Sequence, residues 1–216
     1  MAEPLSPIDG ASVRGFSDTV AARYAELLPG PTAEEPLDLA MLDAFLARLR
    51  RVPRAVVLDA GCGTGRMLPV LSTVAGEVVG VDPSPGMLRE ARHRLPGVRL
   101  EIGALDELPL QDSAVDGILA WYSVIHTPAD GLDEIVVELR RVLRPGGVVL
   151  LGFQCGQGRR RIVGGYGTSA SVDAVLHSTD DVAGRLRAAG FRIEAVLDRA
   201  AVREAHGQGF VLAEVV

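Results

Sequence analysis

The sequence predicts an α/β domain built on a doubly wound, mostly parallel sheet. Three observations lead there. Short apolar runs suited to buried strands alternate with amphipathic runs suited to helices from residue 55 onward. A glycine-rich turn at 61–65 joins the first such strand to the first such helix. The last two strand-like runs, 191–197 and 210–215, have no helix between them, which makes the closing pair antiparallel.

Taken in order, residues 1–11 read as a mobile tail. Val13, Phe16, Val20, Tyr24, Leu27 and Leu28 recur at helical spacing, predicting a helix over 12–28. PGPTAEEP breaks the chain at 29–36, and Leu37 to Leu49 mark a second helix ending near Arg50. Strands are predicted at 55–59, 77–81, 98–102, 115–121 and 148–153, with helices at 66–74, 85–94 and 130–143. Pro69 stands inside the helix predicted at 66–74 and removes a hydrogen bond there unless the helix starts late. Ser178-Thr179-Asp180-Asp181 starts a last helix by N-capping, and Gly190 ends it. Residues 154–177 carry five glycines without sustained periodicity and read as a lid-like insertion or a disordered loop.

Composition narrows the function. At 216 residues the chain fits a single domain with a substantial core. Its 22 basic and 28 acidic residues leave a net charge of −6, which argues against a general nucleic-acid binder. Every basic residue is arginine, so Schiff-base lysine chemistry is excluded. Cys62 and Cys155 stand far apart and form no CxxC pair, which suggests a reducing, cytoplasmic setting and no zinc site. The start MAEPLSPIDG has no secretory pattern, and no apolar stretch reaches the ~18 residues of a membrane span, so no membrane partner is expected.

The chemistry concentrates in VVLDAGCGTG. Glycines at alternate positions after a buried strand allow positive φ and let a ligand touch backbone. The next strand ends at Asp82, whose carboxylate can accept both hydroxyls of a ribose. A dinucleotide fingerprint needs G-x-G-x-x-G, yet its last glycine falls on Arg66 here. The pattern is instead D-x-G-x-G-x-G, suited to a ligand without phosphate, although a tight strand–helix turn alone would also explain glycines.

VLDAGCGTG, GVDPSPGML, DGILAWYSVIH and ELRRVLRPGG, in that order and spacing, resemble the motifs of class I S-adenosylmethionine-dependent methyltransferases of the bacterial small-molecule type. The likeness is strong over about residues 55–155. It implies a Rossmann-like seven-stranded sheet with the last strand inserted antiparallel. It implies S-adenosyl-L-methionine as cofactor, with Gly61, Gly63 and Gly65 along its methionine portion and Asp59 near its amino group. Asp82 would hold the ribose, Met87 would lie against the adenine, and Ala104 and Leu105 would flank it, with Asp106 open to its exocyclic amine. Trp121 and Tyr122 would sit near the methyl group. Tyr24 resembles an aromatic that caps the cofactor, and core packing explains it equally well. Residues 1–50 would then cover the cleft of a core spanning 51–216.

Histidine titrates near neutrality, so His126, just past the fourth strand, is the leading catalytic base and His177 comes second, with Tyr122 a further catalytic candidate. His126 could equally order its loop through a backbone hydrogen bond. Asp173 and His177, four apart, read as a solvated face before a pair at the lid. His93 and His206 read as surface residues. Arg159-Arg160-Arg161 reads as a solvated loop before a site for an acidic acceptor. Cys62 reads as a small filler. The expected partner is a small-molecule acceptor methylated on O, N or C; a scaffold that only binds the cofactor is the alternative.

Overall fold

The computed structural model describes residues 8–216. Residues 1–7 of the tail expected at 1–11 lie outside them, and the rest of that tail already leads into helix. Asp9 caps α1 (Gly10–Leu27), its carboxylate accepting from Ser12 N at 2.8 Å, so α1 starts two residues earlier than its apolar spacing suggested. A turn at Pro31–Ala33 leads into α2 (Pro36–Leu49).

The core then alternates as expected. It runs β1 (Val56–Ala60), α3 (Leu68–Leu71), β2 (Glu77–Asp82), α4 (Pro85–Arg94), β3 (Arg99–Ile102), β4 (Val115–Trp121), α5 (Leu132–Val142) and β5 (Leu143–Gln154). After an excursion come α6 (Thr179–Ala188), β8 (Phe191–Arg199) and β9 (Gln208–Val215). The sheet has seven strands in the order β3-β2-β1-β4-β5-β9-β8. β9 pairs antiparallel with both β5 and β8, while the other pairings are parallel. The ends of β1 and β4 therefore open side by side at the centre of the carboxyl edge, where a doubly wound sheet forms its crevice.

Strand side chains alternate between two apolar layers. Leu58, Val79, Ile118, Ala120 and Val149 meet α5 and α6 on one face. Val57, Val78, Leu119 and Leu150 meet α2 and α3 on the other. α2 packs so closely that a Cβ on Gly117 of β4 would lie 2.6 Å from Leu49 Cδ2. Phe45 of α2 is fully buried there.

Two expectations are corrected. The helix expected at 66–74 shrinks to one turn, because Pro69 is tolerated in the first turn of a helix and not deeper. Residues 154–177 are not a structureless loop. β6 (Arg159–Val163) and β7 (Ser171–Val175) form an antiparallel hairpin whose tip turns through Gly164–Thr168. Its apolar residues Ile162, Tyr166 and Val172 pack with Phe16 and Val20 of α1. Their partners lie about 150 residues away in sequence, so local periodicity does not reveal them. Among the described residues no helix is long and apolar enough to cross a membrane.

Candidate active site

A cleft of about 450 Å³ lies at the carboxyl edge, lined by α1, the loops after β1, β2, β3 and β4, the start of α5 and the hairpin tip. Its size falls in the ~300–1,000 Å³ range of ligand pockets. At its floor the chain leaves β1 through Gly61, whose φ is +77° and whose added Cβ would lie 2.3 Å from Ser123 Cβ. Only glycine permits that approach of the post-β1 and post-β4 loops. Val81 O accepts from both Gly61 N (2.8 Å) and Cys62 N (2.9 Å), tying the loop to β2.

Asp82 ends β2 at the same floor. Its Oδ2 accepts from Gly63 N and its Oδ1 from Ser84 N, each at 2.8 Å, which fixes the carboxylate plane and leaves a lone pair on each oxygen. Burial pushes its pKa up to about 6 despite those bonds. Ser84 caps α4, accepting from Met87 N at 3.0 Å, and donates its hydroxyl to Asp18 of α1 at 2.6 Å. Asp18 also accepts from Gly86 N at 2.6 Å. Asp18 is a residue that sequence reasoning missed; a polar residue on the exposed side of an amphipathic helix gives no signal of this contact.

Most of the site residues named from the sequence converge here. Tyr24, Gly61, Gly63, Asp82, Met87, Ala104, Leu105, Trp121, Tyr122 and His126 all line the cleft. Two do not. A Cβ on Gly65 would meet Leu68, Leu95 and Ala91, so this glycine serves helix packing behind the loop. Asp59 is buried at the end of β1 outside the lining, and burial pushes its pKa up to about 7 although Arg66 opposes the shift. Arg66 is buried too, bonded to Glu34 at 2.5 Å and lying beside Tyr24. Neither partner of that network was legible from spacing.

Tyr24 packs edge-on against Tyr166 of the hairpin at 4.9 Å between centroids, closing α1 onto the hairpin tip. Tyr122 has φ +60° and Tyr166 φ +53°, conformations uncommon outside glycine, and both residues line the cleft. Burial raises the Tyr122 phenol well above its ordinary pKa, so it stays protonated as a donor.

The histidines settle differently from their sequence reading. His126 lines the cleft while its Nδ1 lies 2.9 Å from Asp173 O, so the loop-ordering bond and the cleft position coexist. A carbonyl only accepts, so Nδ1 carries the proton and Nε2 of the neutral ring is the basic nitrogen. Burial lowers the His126 pKa, and Arg160 lowers it further. His177 and Asp173 are both buried, not on a solvated face. His177 Nε2 lies 3.3 Å from Val124 O, so the two histidines bind the post-β4 turn and β7 reciprocally. Burial first, then the neighbouring carboxylates, raises the Cys62 thiol, consistent with a filler.

Four buried polar atoms in and around the glycine loop lack a hydrogen-bond partner among the described residues: Asp59 Oδ2, Thr64 Oγ1, Trp121 Nε1 and Ser123 Oγ. Native proteins rarely leave such atoms unanswered. Of these, Trp121 and Ser123 line the cleft with Asp82, and Asp59 and Thr64 do not; the indole N–H, the hydroxyls and the carboxylates suit a ligand that brings an ammonium, hydroxyls and a carboxylate. The residues present thus fit an amino acid joined to a nucleoside.

Residues 57–147 match the family model described as a methyltransferase domain. The malonyl-(acyl-carrier protein) O-methyltransferase of Enterobacter lignolyticus is 35% identical over 130 residues, 60% of this chain and 51% of that protein. The chain spans about a third to a half of the length of the curated relatives it matches. The 1,6-didemethyltoxoflavin-N1-methyltransferase of Burkholderia thailandensis superposes with a TM-score of 0.70 at 20% identity, covering 100% of this chain and 93% of that one. A 4+2 cyclase superposes at 0.73, with 20% identity and coverage of 98% and 97%. Over residues 57–147 the chain matches a methyltransferase-domain family, and its sheet order and glycine loop resemble those of class I S-adenosylmethionine-dependent methyltransferases.

Proposed function

We propose that this protein transfers the methyl group of S-adenosylmethionine to a small-molecule acceptor, with His126 as the general base. The observation that carries the reading is a shared cleft: Asp82, Gly63 and Met87 line the same cavity as His126 and Thr127. Asp82 would take the ribose hydroxyls on its free lone pairs. Met87, Ala104 and Leu105 would pack on the adenine. Asp59 would answer the ammonium, and Trp121 and Tyr122 would wall the reacting centre. When bound, the sulfonium supplies an electrophilic methyl for in-line displacement.

The chain's remaining tasks are positioning and proton removal. Aligning two bound reactants is worth up to ~7–11 kcal/mol of barrier. α1 and the hairpin, joined by Tyr24 and Tyr166, would exclude water from above. With Nδ1 held by Asp173 O, Nε2 of His126 would accept the acceptor's proton as the new bond forms, worth ~10²–10⁴-fold in rate.

The test is calorimetry of the purified chain with S-adenosylhomocysteine, then methyl transfer to a panel of acceptors. Asp82→Ala should weaken binding about 10- to 100-fold, the scale of charged hydrogen bonds. His126→Gln should leave that affinity intact, lower kcat by ~10²–10⁴-fold, and abolish the rise of rate with pH through the histidine pKa. Undiminished affinity in Asp82→Ala would remove it from the ribose site. Full turnover by His126→Gln would leave His126 as a loop anchor.

A second reading has an observation behind it. The 4+2 cyclase shares this fold over 98% of the chain, so the fold alone does not establish methyl transfer. Tight S-adenosylhomocysteine binding with no methyl transfer to any acceptor would favour that reading.

A further inference from the structure

The hairpin carries three successive arginines, and it treats one of them differently. We propose that Arg160 binds a carboxylate on the acceptor and thereby selects acidic acceptors; this rests on the methyltransferase reading above.

β6 alternates its side chains between two faces. Arg159 and Arg161 share the face of Asp173, whose carboxylate lies 2.9 Å from Arg159 Nη2 and 3.7 Å from Arg161 Nη1. Arg160 is on the other face, in line with Ile162 and Val172, which pack on Phe16 of α1 beside the cleft. Its Nε donates to Gln154 Oε1 at 2.7 Å, and among the described residues no carboxylate pairs with it. Half-buried without a counterion, the guanidinium is pushed toward a lower pKa by burial. Its charge reaches two groups that line the cleft: it lowers the pKa of His126 and opposes the burial-driven rise at Tyr166. Phe16, which packs on that face, lies 6.4 Å from the His126 ring between centroids, so this face of the hairpin abuts the cleft wall, with Arg160 just outside the lining residues.

A guanidinium with Nε engaged keeps its two terminal nitrogens, and their paired N–H groups match the two oxygens of a carboxylate. A singly charged group fits one arginine; a dianion would ask for more donors. Besides Asp82 at the floor, the acidic residues of the cleft are Asp106 in the loop after β3 and Glu134 of α5. They repel an anion from that wall. The Asp173-bound arginines on the opposite face hold the strand that presents it.

The experiment uses the full chain saturated with S-adenosylhomocysteine, titrated calorimetrically with matched pairs: benzoate against benzamide, 2-hydroxybenzoate against 2-hydroxybenzamide, and 4-hydroxycinnamate against its amide. At least one acid should bind about 10- to 100-fold tighter than its amide, the scale of charged hydrogen bonds. Arg160→Gln should erase that preference, Arg160→Lys should keep part of it, and all three proteins should bind S-adenosylhomocysteine equally, which also certifies their folding. No preference for any acid in the wild type, or a preference that survives in Arg160→Gln, overturns the proposal while leaving the methyltransferase reading standing. Failure of the wild type to bind S-adenosylhomocysteine overturns both.

Discussion

At the end of β1, Asp59 holds a buried carboxyl whose Oδ2 has no partner among the described residues. Its pKa, raised by burial to about 7, sets a sign that can be tested. A carboxyl with a folded pKa above its unfolded value binds more protons when folded, so ligand-free stability should fall as pH rises from about 4 to 7. Asp82, raised to about 6, adds to the same slope. An arriving ammonium favours the ionised form, so affinity for S-adenosylhomocysteine should rise roughly tenfold from pH 5.5 to 7.5. Asp59→Asn should flatten most of that rise in calorimetry, leaving the part due to Asp82. An unchanged pH profile in the mutant would make Asp59 a structural partner of Arg66 alone.

Among the elements, α1 and the hairpin decide how the cleft is roofed. α1 is pinned to α4 through Asp18, which accepts from Ser84 and Gly86, and a Cβ on Gly86 would lie 2.9 Å from Asp18 Cα. Asp18 thus acts as a cap supplied from another helix, and capping interactions are worth typically ~1 kcal/mol. Asp18→Ala should speed hydrogen exchange in α1 and weaken cofactor binding, with little change in the sheet. Hairpin and α1 should also gain protection together when S-adenosylhomocysteine binds, because Tyr24 and Tyr166 pack edge-on across them. Protection confined to the glycine loop would separate the roof from ligand binding.

Over the whole molecule, the N-terminal helices are tied to the far end of the sheet by a buried ion pair. Arg199 at the end of β8 meets Asp38 of α2 through two bonds, Nε at 2.5 Å and Nη2 at 2.6 Å, with both side chains at most 5% exposed. Asp38→Ala would leave the buried arginine with only the partly exposed Glu204 as its counterion and should destabilise the fold by up to about 3–5 kcal/mol in urea unfolding. Replacing both partners, Asp38→Leu with Arg199→Met, should recover much of the loss. Arg199 also holds Glu204 at a pKa of about 2, so that contribution is present above the unfolded value and fades as pH falls from about 4.5 toward 2. Phe45→Ala, emptying a fully buried site between α2 and β4, should cost about 3–5 kcal/mol.

The sequence by itself determined what short-range chemistry encodes. Alternating apolar runs marked β1, β2, β4 and α4 within a residue, Ser178 and Gly190 marked the ends of α6, and D-x-G-x-G-x-G marked the cleft floor. Pro69 left open a late start or a broken bond in the helix expected at 66–74, and the structure takes the late start. Tertiary structure alone decided the rest. The contact of Asp18 with Ser84 spans 66 residues and that of Asp38 with Arg199 spans 161. The hairpin at 159–175 has weak periodicity because much of its stabilisation comes from α1, and His177 is buried by a turn 53 residues earlier. Local pattern follows from backbone propensity and the side-chain period of a single element. Partners between elements follow from which surfaces the completed sheet brings together, and no residue carries that information within its own neighbourhood.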